Sequence, residues 1–168
     1  PSREIVPLID AFNVDLKGIR DEFYKEICGG RVEPVKRFIE IASAVSHVEV
    51  TNLVIPGLND ATEAFEDLVD WLAGVSSDIP LHFSRFFPQY RMNDRPATPK
   101  ETLETAYAIA RKKLRYVYVG NIMIDGTEDT RCAKCGASVV KRAGYGAEVL
   151  GPEGKCPGCG TQVKGVWR

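Results

Sequence analysis

Four short apolar runs, separated by longer amphipathic segments, give the first 121 residues a repeating pattern. The runs cover residues 11–16, 48–55, 81–86 and 116–119. They are strand-like, because β-branched and aromatic residues alternate with polar ones over four to eight positions. Strands that alternate with helices are typical of βαβ units, so the pattern predicts a parallel sheet with helices packed against it.

The segments between these runs carry apolar residues at the three- and four-residue spacing of a helix face. We predict helices over residues 34–46 and 61–73, and a third that starts at Thr98-Pro99. Asp60 is the expected N-cap of the second helix, with Glu63 as its capping-box partner. The predicted buried sides consist of Phe38, Ile39, Ala42 and Val45, of Phe65, Leu68, Val69 and Leu72, and of Leu103, Tyr107, Ala110 and Leu114.

Four strands in this length amount to half of an eight-stranded (β/α) barrel, which typically needs about 250 residues. The expected fold class is therefore α/β, either a small open sheet or a partial (β/α) barrel of parallel strands, with a C-terminal four-cysteine zinc ribbon. We divide the chain into a barrel part (1–121), a linker (122–131) and the ribbon (132–168).

The five cysteines are unevenly spaced along the chain. Cys28 is isolated and is expected to be a small buried apolar residue, whereas Cys132-x2-Cys135 and Cys156-x2-Cys159 are separated by 20 residues. Two such turns can each present two thiolates to one tetrahedral ion, so we predict a structural zinc site. Two surface disulfides or a redox CxxC are the alternatives. Zinc-bound thiolates indicate a reducing compartment, hence the cytoplasm.

Charge is distributed unevenly, although the whole chain has a formal charge of −1. Residues 131–168 sum to +5 and residues 1–130 to −6. A basic ribbon can bind nucleic acid, but this one offers only Tyr145 and Trp167 for base stacking, which disfavours that role. No apolar run approaches the roughly 18 residues of a membrane helix. No signal-peptide pattern is present, and the opening residues are typical of the middle of a longer protein.

Polar residues cluster where the predicted strands end. In parallel α/β folds ligands bind at the carboxyl ends of the strands. Asp15 and Lys17 could also form an ordinary ion pair there, and Arg85 could pair with Asp94. His82 is interpreted as a hydrogen-bonded packing residue more than a base, and His47 as solvent-facing. The candidate ligand-binding residues at these ends are Asp15, Lys17, Thr51, Asn59, Ser84 and Arg85.

Several of these segments together resemble a known family. They are Asp15-Leu16-Lys17, the run from Thr51 to Asp60 with its Pro-Gly-Leu-Asn-Asp turn, the run from His82 to Phe86, residues 116–121 and the paired CxxC turns. The combination resembles the C-terminal part of radical S-adenosylmethionine enzymes. Within them it is similar to the radical member of the AmmeMemoRadiSam system, which is related to pyruvate formate-lyase-activating enzymes.

The resemblance implies a partial barrel with S-adenosylmethionine and a [4Fe–4S] cluster at the carboxyl ends of its strands. Reductive cleavage of S-adenosylmethionine gives a 5′-deoxyadenosyl radical, which in activating enzymes takes hydrogen from a glycine of a partner protein. The substrate here could be a protein or a small molecule. The residues to which the resemblance assigns S-adenosylmethionine binding or the lining of its cleft are Asp15, Lys17, Thr51, Leu53, Asn59, Ser84 and Arg85.

Two departures from the family pattern matter. Phe87-Pro88 stands where related sequences often have His-Pro, and the cluster-binding CxxxCxxC is absent from residues 1–168. We therefore expect a missing N-terminal, cluster-binding half. The open edge of the first strand is expected to be paired with another chain or covered by disordered sequence. Two other classes of function remain: a zinc-ribbon module that binds protein or nucleic acid, and a lyase that uses Lys17 as a Schiff-base amine.

Overall fold

The computed structural model describes residues 2–144 and 146–167, without the side chains of residues 2 and 3. Tyr145, one of the two aromatic residues considered for stacking, therefore lies outside the described residues, as do the outermost residues of the two predicted domains. The helices are α1 (Ser2–Ile5), α2 (Asp21–Phe23), α3 (Val32–Ser43), α4 (Thr62–Val75) and α5 (Lys100–Ala110), with 3-10 turns at Val6–Leu8 and Pro152–Gly154 and a π-helical turn at Tyr24–Cys28.

Four parallel strands form the main sheet, in the order β1-β2-β3-β4. Their order in space follows their order in the chain, and a helix of 11 to 14 residues separates each pair. Within the described residues the sheet is open, because β1 and β4 each have a single neighbour. The strands are β1 (Ala11–Asp15), β2 (His47–Val54), β3 (Leu81–Arg85) and β4 (Val117–Gly120).

The main core lies between the helices and one face of this sheet. Phe65 on α4 meets Phe83 on β3 edge to face, with ring centroids 5.6 Å apart. The predicted helix faces supply most of the remaining core, since Leu68, Leu72 and Leu103 are fully buried. The other sheet face carries half-buried polar residues, which explains why the strands alternate in sequence instead of being apolar throughout.

Three local predictions are wrong. Val45 lies beyond the end of α3 and is 64% exposed. Asp60 does not cap α4; its carboxylate accepts a hydrogen bond (2.8 Å) from the backbone N–H of Gly57, which closes a turn where Gly57 has φ +73°. The residue before α4 is Ala61, without a side-chain cap. Cys28 is exposed, because it ends the short π-helical turn instead of facing the core.

The C-terminal region forms a second, antiparallel sheet of β5 (Thr130–Arg131), β6 (Ser138–Ala143) and β7 (Gly146–Val149), in the order β5-β6-β7. Its own small core includes Val139, Val140 and Val163, together with Tyr116, the residue immediately before β4. The ribbon therefore packs directly on the main sheet. Ile124 packs in the main core, so the segment between the two sheets belongs partly to each. Within the described residues, no helix combines the length and apolar character needed to cross a membrane.

Candidate functional site

The polar face of the main sheet places side chains from all four strands in one strip. The register sets Asp15 of β1 opposite Thr51 of β2, and Thr51 opposite His82 of β3. His82 in turn lies opposite Tyr118 of β4. Because alternate residues of a strand share a face, Ser84, two residues after His82, lies on the same face and nearer to the carboxyl ends of the strands.

A cleft of about 600 Å³ opens on this strip, between the carboxyl ends of the strands and the ribbon. Two of the predicted binding residues, Thr51 and Ser84, line it. The Thr51 hydroxyl lies 3.0 Å from Asn13 Oδ1 and donates to it. The cleft is completed by His82, Tyr118, Val119, Gly120, Asn121, Ile122, Met123, Glu128, Arg142 and Gly144.

Asp15 and Lys17 form an ion pair at the end of β1; neither lines the cleft, but Asp15 lies opposite the cleft residue Thr51. Lys17 Nζ lies 2.9 Å from Asp15 Oδ1, and the two side chains are 36% and 57% exposed. The backbone N–H of Lys17 donates to the Tyr24 hydroxyl (3.1 Å), which fixes the chain direction beyond the strand. Because the side chains are partly exposed, both groups are accessible to a ligand. An exposed pair of this kind contributes little to stability, about 0–1 kcal/mol.

Asn59 forms a backbone clasp, which means that its side chain hydrogen-bonds to three backbone groups near the ends of β1 and β2. Its side chain is buried; Oδ1 accepts from the Ile55 N–H (2.6 Å), while Nδ2 donates to the carbonyl oxygens of Lys17 (2.7 Å) and Leu53 (2.8 Å). The amide therefore ties the ends of β1 and β2 together and positions Lys17. Leu53 is half-buried and lies opposite Ser84.

Arg85 closes the carboxyl end of β3. Its Nε donates to the carbonyl oxygen of Thr98 (2.8 Å), and its guanidinium lies 5.0 Å from the ring centre of Phe87. Among the described residues no ion pair joins Arg85 to Asp94. Phe87, which stands where related sequences often have His, thus packs against the Arg85 guanidinium. Thr98 is buried and bridges the ends of β2 and β3 through its hydroxyl.

A carboxylate held by two histidines lies at the centre of the strip, and it is not among the predicted site residues. Glu49 Oε2 is 2.8 Å from His82 Nε2, and Glu49 Oε1 is 3.1 Å from His47 Nε2. Hydrogen bonds from His47 and His82 hold the pKa of Glu49 well below its usual range, against the opposing effect of burial. Since an ionised carboxylate only accepts hydrogen bonds, both Nε2 atoms are assigned as protonated.

His47 is only 11% exposed, so its interpretation as a solvent-facing residue is wrong. It lies on the sheet face that the ribbon covers, in a second cleft of about 500 Å³ that Val140 and Val149 also line. The signal was present in the sequence. His47 and Glu49 are two residues apart on one strand, and hence on one face, but the pairing with His82 depends on strand register.

Tyr118 connects this cluster to the ribbon. Its ring stacks on the His82 imidazole at 4.8 Å, and its hydroxyl lies 2.8 Å from Thr130 Oγ1. The guanidinium carbon of Arg142, on β6, lies 5.3 Å from the ring centre. Burial raises the pKa of Tyr118 above its ordinary value. One ring thus contacts both the sheet cluster and the ribbon cation.

The four ribbon cysteines come together as a metal-binding group. All four Sγ atoms lie within 4.8 Å of one another, with Cys132 and Cys159 3.7 Å apart and Cys135 and Cys156 3.4 Å apart. Zinc–sulfur bonds of about 2.3 Å place tetrahedral sulfurs roughly 3.8 Å apart, so the group could hold a metal ion such as zinc. Four protein ligands leave no open position, which is typical of a structural site.

Tight turns shape both halves of the metal group. Gly136 follows the first CxxC with φ +77°, and Gly160 follows the second with φ +69°. Their N–H groups donate to the carbonyl oxygens of Cys132 and Cys156, each over 2.8 Å. The left-handed conformation suits glycine because it lacks a Cβ.

The residues of this chain do not fit a [4Fe–4S] cluster of the radical type. Such a cluster needs three thiolates from one CxxxCxxC loop, and the sequence lacks that spacing. The four ribbon thiolates form their own group, and Cys28 is not a member of it.

Comparisons with known proteins leave the family open. No family model matches the sequence. An uncharacterized protein of Methanocaldococcus jannaschii is 37% identical over 161 residues, which are 92% of this chain but 48% of that protein. The chain thus spans about half the length of this curated relative.

Among solved structures, a domain of a pyruvate-formate lyase-activating enzyme from Bacteroides vulgatus has the same fold. It superposes with a TM-score of 0.63 at 15% sequence identity, over 71% of this chain and 73% of that domain. At this identity the likeness shows the fold alone. The open parallel sheet is thus an arrangement that also occurs in a domain of an activating enzyme.

Proposed function

We propose that this chain is the C-terminal part of a radical S-adenosylmethionine enzyme related to pyruvate formate-lyase-activating enzymes. The observation that carries the proposal is the cleft at the carboxyl ends of the parallel strands, beside Asp15 and Lys17, on a fold shared with an activating-enzyme domain. In parallel α/β proteins this end of the sheet is where ligands bind. Reductive cleavage of S-adenosylmethionine is the chemistry that the missing cluster would supply.

The chain's own part in that function is to bind and to orient. Lys17 offers a cation to the cofactor's carboxylate or ribose, and the Asn59 clasp holds the Lys17 backbone in place. Thr51 and Ser84 line the cleft, Leu53 lies across from Ser84, and Arg85 braces the loop beyond β3 through Thr98.

The [4Fe–4S] cluster belongs, in this proposal, to sequence upstream of residue 1. A relative about twice as long as this chain is compatible with such a half. The free edge of β1 is suited to pairing with a further strand from it, because an unpaired edge exposes backbone donors and acceptors.

The contacts between the ribbon and the sheet favour a structural role for the ribbon over an independent recruiting module. Tyr116 packs in the ribbon core, and Arg142 contributes to the cleft wall. Trp167, one stacking candidate, is half-buried and donates through Nε1 to the Val163 carbonyl (2.9 Å). Four reduced thiolates on zinc would be compatible with a reducing compartment, so the cytoplasm is the proposed location.

Lys17 is poorly suited to the alternative role of a Schiff-base amine. Such lysines are typically activated by desolvation or by a neighbouring cation. Lys17 is about one-third exposed and is paired with a carboxylate instead. The proposed cofactor-binding role uses the ammonium in its charged state.

The deciding experiment uses the uncut protein, that is, the full-length polypeptide of which this chain is the proposed C-terminal part. It is reconstituted anaerobically with iron and sulfide. We expect about four irons per chain in addition to one zinc, and formation of 5′-deoxyadenosine and methionine from S-adenosylmethionine when dithionite is added. A protein with the Cys132→Ser substitution serves as control, because it should lose zinc but retain iron. An uncut protein that binds no iron, or that leaves S-adenosylmethionine intact, would contradict the proposal.

A further inference from the structure

We propose that the ribbon-facing part of the cleft is a binding site for an anionic group, a phosphate or a carboxylate with a neighbouring hydroxyl, formed jointly by Arg142 and His82. The inference rests on the proposed function only in treating this ligand as the substrate. The site itself is defined by side chains of this chain and can be tested without the cluster.

Arg142 is a cation held in a fixed orientation at the cleft wall. Its Nη1 donates to the Glu128 carbonyl oxygen and to Thr130 Oγ1, both over 2.9 Å, and its guanidinium lies on the Tyr118 ring. The guanidinium also hydrogen-bonds to the Tyr118 side chain, which leaves at least two of its five N–H donors for a ligand. These donors can form charge-assisted contacts with a carboxylate or phosphate, and prior ordering lowers the cost of binding.

His82 lines the same cleft as Arg142 and supplies a complementary group. Its Nε2–H is directed to Glu49, so in the neutral form of the ring Nδ1 carries the lone pair. The imidazole is 29% exposed and lines the cleft, with its plane set by the stack on Tyr118. An anion that carries a hydroxyl, such as monobasic phosphate, can donate that proton to Nδ1 while its oxygens face Arg142.

The acidic groups around the site differ in how they affect an anion. The Glu49 carboxylate is hydrogen-bonded to two imidazoles, and Asp129 Oδ2 lies 3.8 Å from Arg131 Nη2. Glu128 also lines the cleft, and no ion pair joins its carboxylate to Arg142 among the described residues. Its negative charge opposes an anionic ligand, so replacing Glu128 should strengthen binding.

The test is a titration of the zinc-loaded chain, followed by the ¹H–¹⁵N signals of the Arg142 side chain and the His82 ring. Inorganic phosphate is the first probe, acetate and glycolate are the second and third, and sodium chloride keeps the ionic strength constant. We expect saturable shifts with phosphate. Tighter binding of glycolate than of acetate would assign the site to hydroxycarboxylates, and tighter binding of phosphate to phosphates.

The variants separate the site from general charge effects. Arg142→Gln should weaken binding by about tenfold or more, since a charge-assisted contact is lost. Glu128→Gln should tighten it about twofold to threefold. Arg111→Gln removes an exposed arginine just after α5 and should change nothing. Arg142→Lys keeps the positive charge but lacks the paired N–H donors of the guanidinium. Unchanged zinc content in every variant verifies that its ribbon remains folded.

Absence of saturable shifts with all three probes would overturn the inference, as would shifts that survive Arg142→Gln. Cleavage of S-adenosylmethionine by the uncut protein is measured separately. A protein that cleaves the cofactor but shows no Arg142-dependent anion binding loses this site alone. A protein that binds the anion without cleaving the cofactor retains the site and loses the proposed enzyme.

Discussion

Glu49 and His82 lie on adjacent parallel strands and are joined by a 2.8 Å hydrogen bond at the centre of the sheet's polar face. The same carboxylate also accepts from His47, so one acid is shared by two imidazoles. Because Tyr118 stacks on His82 and contacts the ribbon, the orientation of the cleft wall depends on this bond. The cluster is thus one of the links between the sheet and the C-terminal region.

Replacing Glu49 with Gln should destabilise the protein and change its acid sensitivity. The lowered pKa of Glu49 means that its contribution is fully present above the unfolded-state value of about 4.3 and is lost as the pH falls toward the folded-state value. We expect a loss of about 1–3 kcal/mol in unfolding free energy at pH 7, measured by urea denaturation, and a smaller loss for the variant at pH 3.

Glu63→Gln is the matched control for that measurement, because Glu63 is an exposed first-turn residue of α4. It should leave the pH dependence almost unchanged. Equal acid sensitivity in the Glu49→Gln variant and the unaltered protein would show that the two histidines do not stabilise this carboxylate.

Removal of the metal should unfold the ribbon and leave the main sheet folded. The ribbon buries few apolar side chains of its own, so a bound ion has to contribute much of its stability. Hydrogen exchange with a zinc chelator should deprotect the amides of β5, β6 and β7, while those of β2 and β3 stay protected. Cys28→Ser should retain one zinc and Cys156→Ser should lose it; retained ribbon protection without zinc would contradict the assignment.

Asn59→Ala should cost about 2 kcal/mol or more of stability, because it leaves the buried Ile55 N–H without its acceptor and removes both donors of the clasp. The measurement is chemical denaturation followed by far-UV circular dichroism. Asn93→Ala, which removes one exposed hydrogen bond to the Tyr90 carbonyl, is the control and should change stability by only a few tenths of a kcal/mol. Similar losses for both variants would rule out the clasp.

Lys17→Ala in the uncut, reconstituted protein should weaken S-adenosylmethionine binding by about tenfold, the usual effect of losing one charge-assisted contact. Isothermal calorimetry measures the affinity directly. Lys25→Ala breaks a comparable exposed ion pair with Asp21 and should bind normally. Unchanged affinity in the Lys17 variant would remove this residue from the site.

Periodicity was a reliable guide to the core of the sheet and helices. Phe65, Leu68, Val69 and Leu72 recur at helical spacing, and all four are buried on α4. Their burial follows from local geometry, because one helix face has to meet the sheet. The four CxxC cysteines were predictable for a similar reason, since ligand spacing within each turn is set by the chain itself.

The errors arose where distant parts of the chain or competing local options decide the outcome. His47 lines a cleft together with ribbon residues more than 90 positions away, an arrangement that no local pattern encodes. Asp60 had two local options, to cap α4 or to close the Gly57 turn, and the turn holds it. The contacts of Arg142 with Tyr118 depend on the packing of two sheets, so the cleft wall could not be predicted from spacing alone.

Tyr116 and Val117 are adjacent in sequence, yet the first packs in the ribbon core and the second in the main core. A protein shortened at residue 121 would therefore carry an unburied aromatic surface at Tyr116 and Tyr118. Conversely, a ribbon expressed by itself would lack a wall of its interior. The ribbon and the sheet therefore form one structural unit, and fusions or truncations should not divide the chain between them.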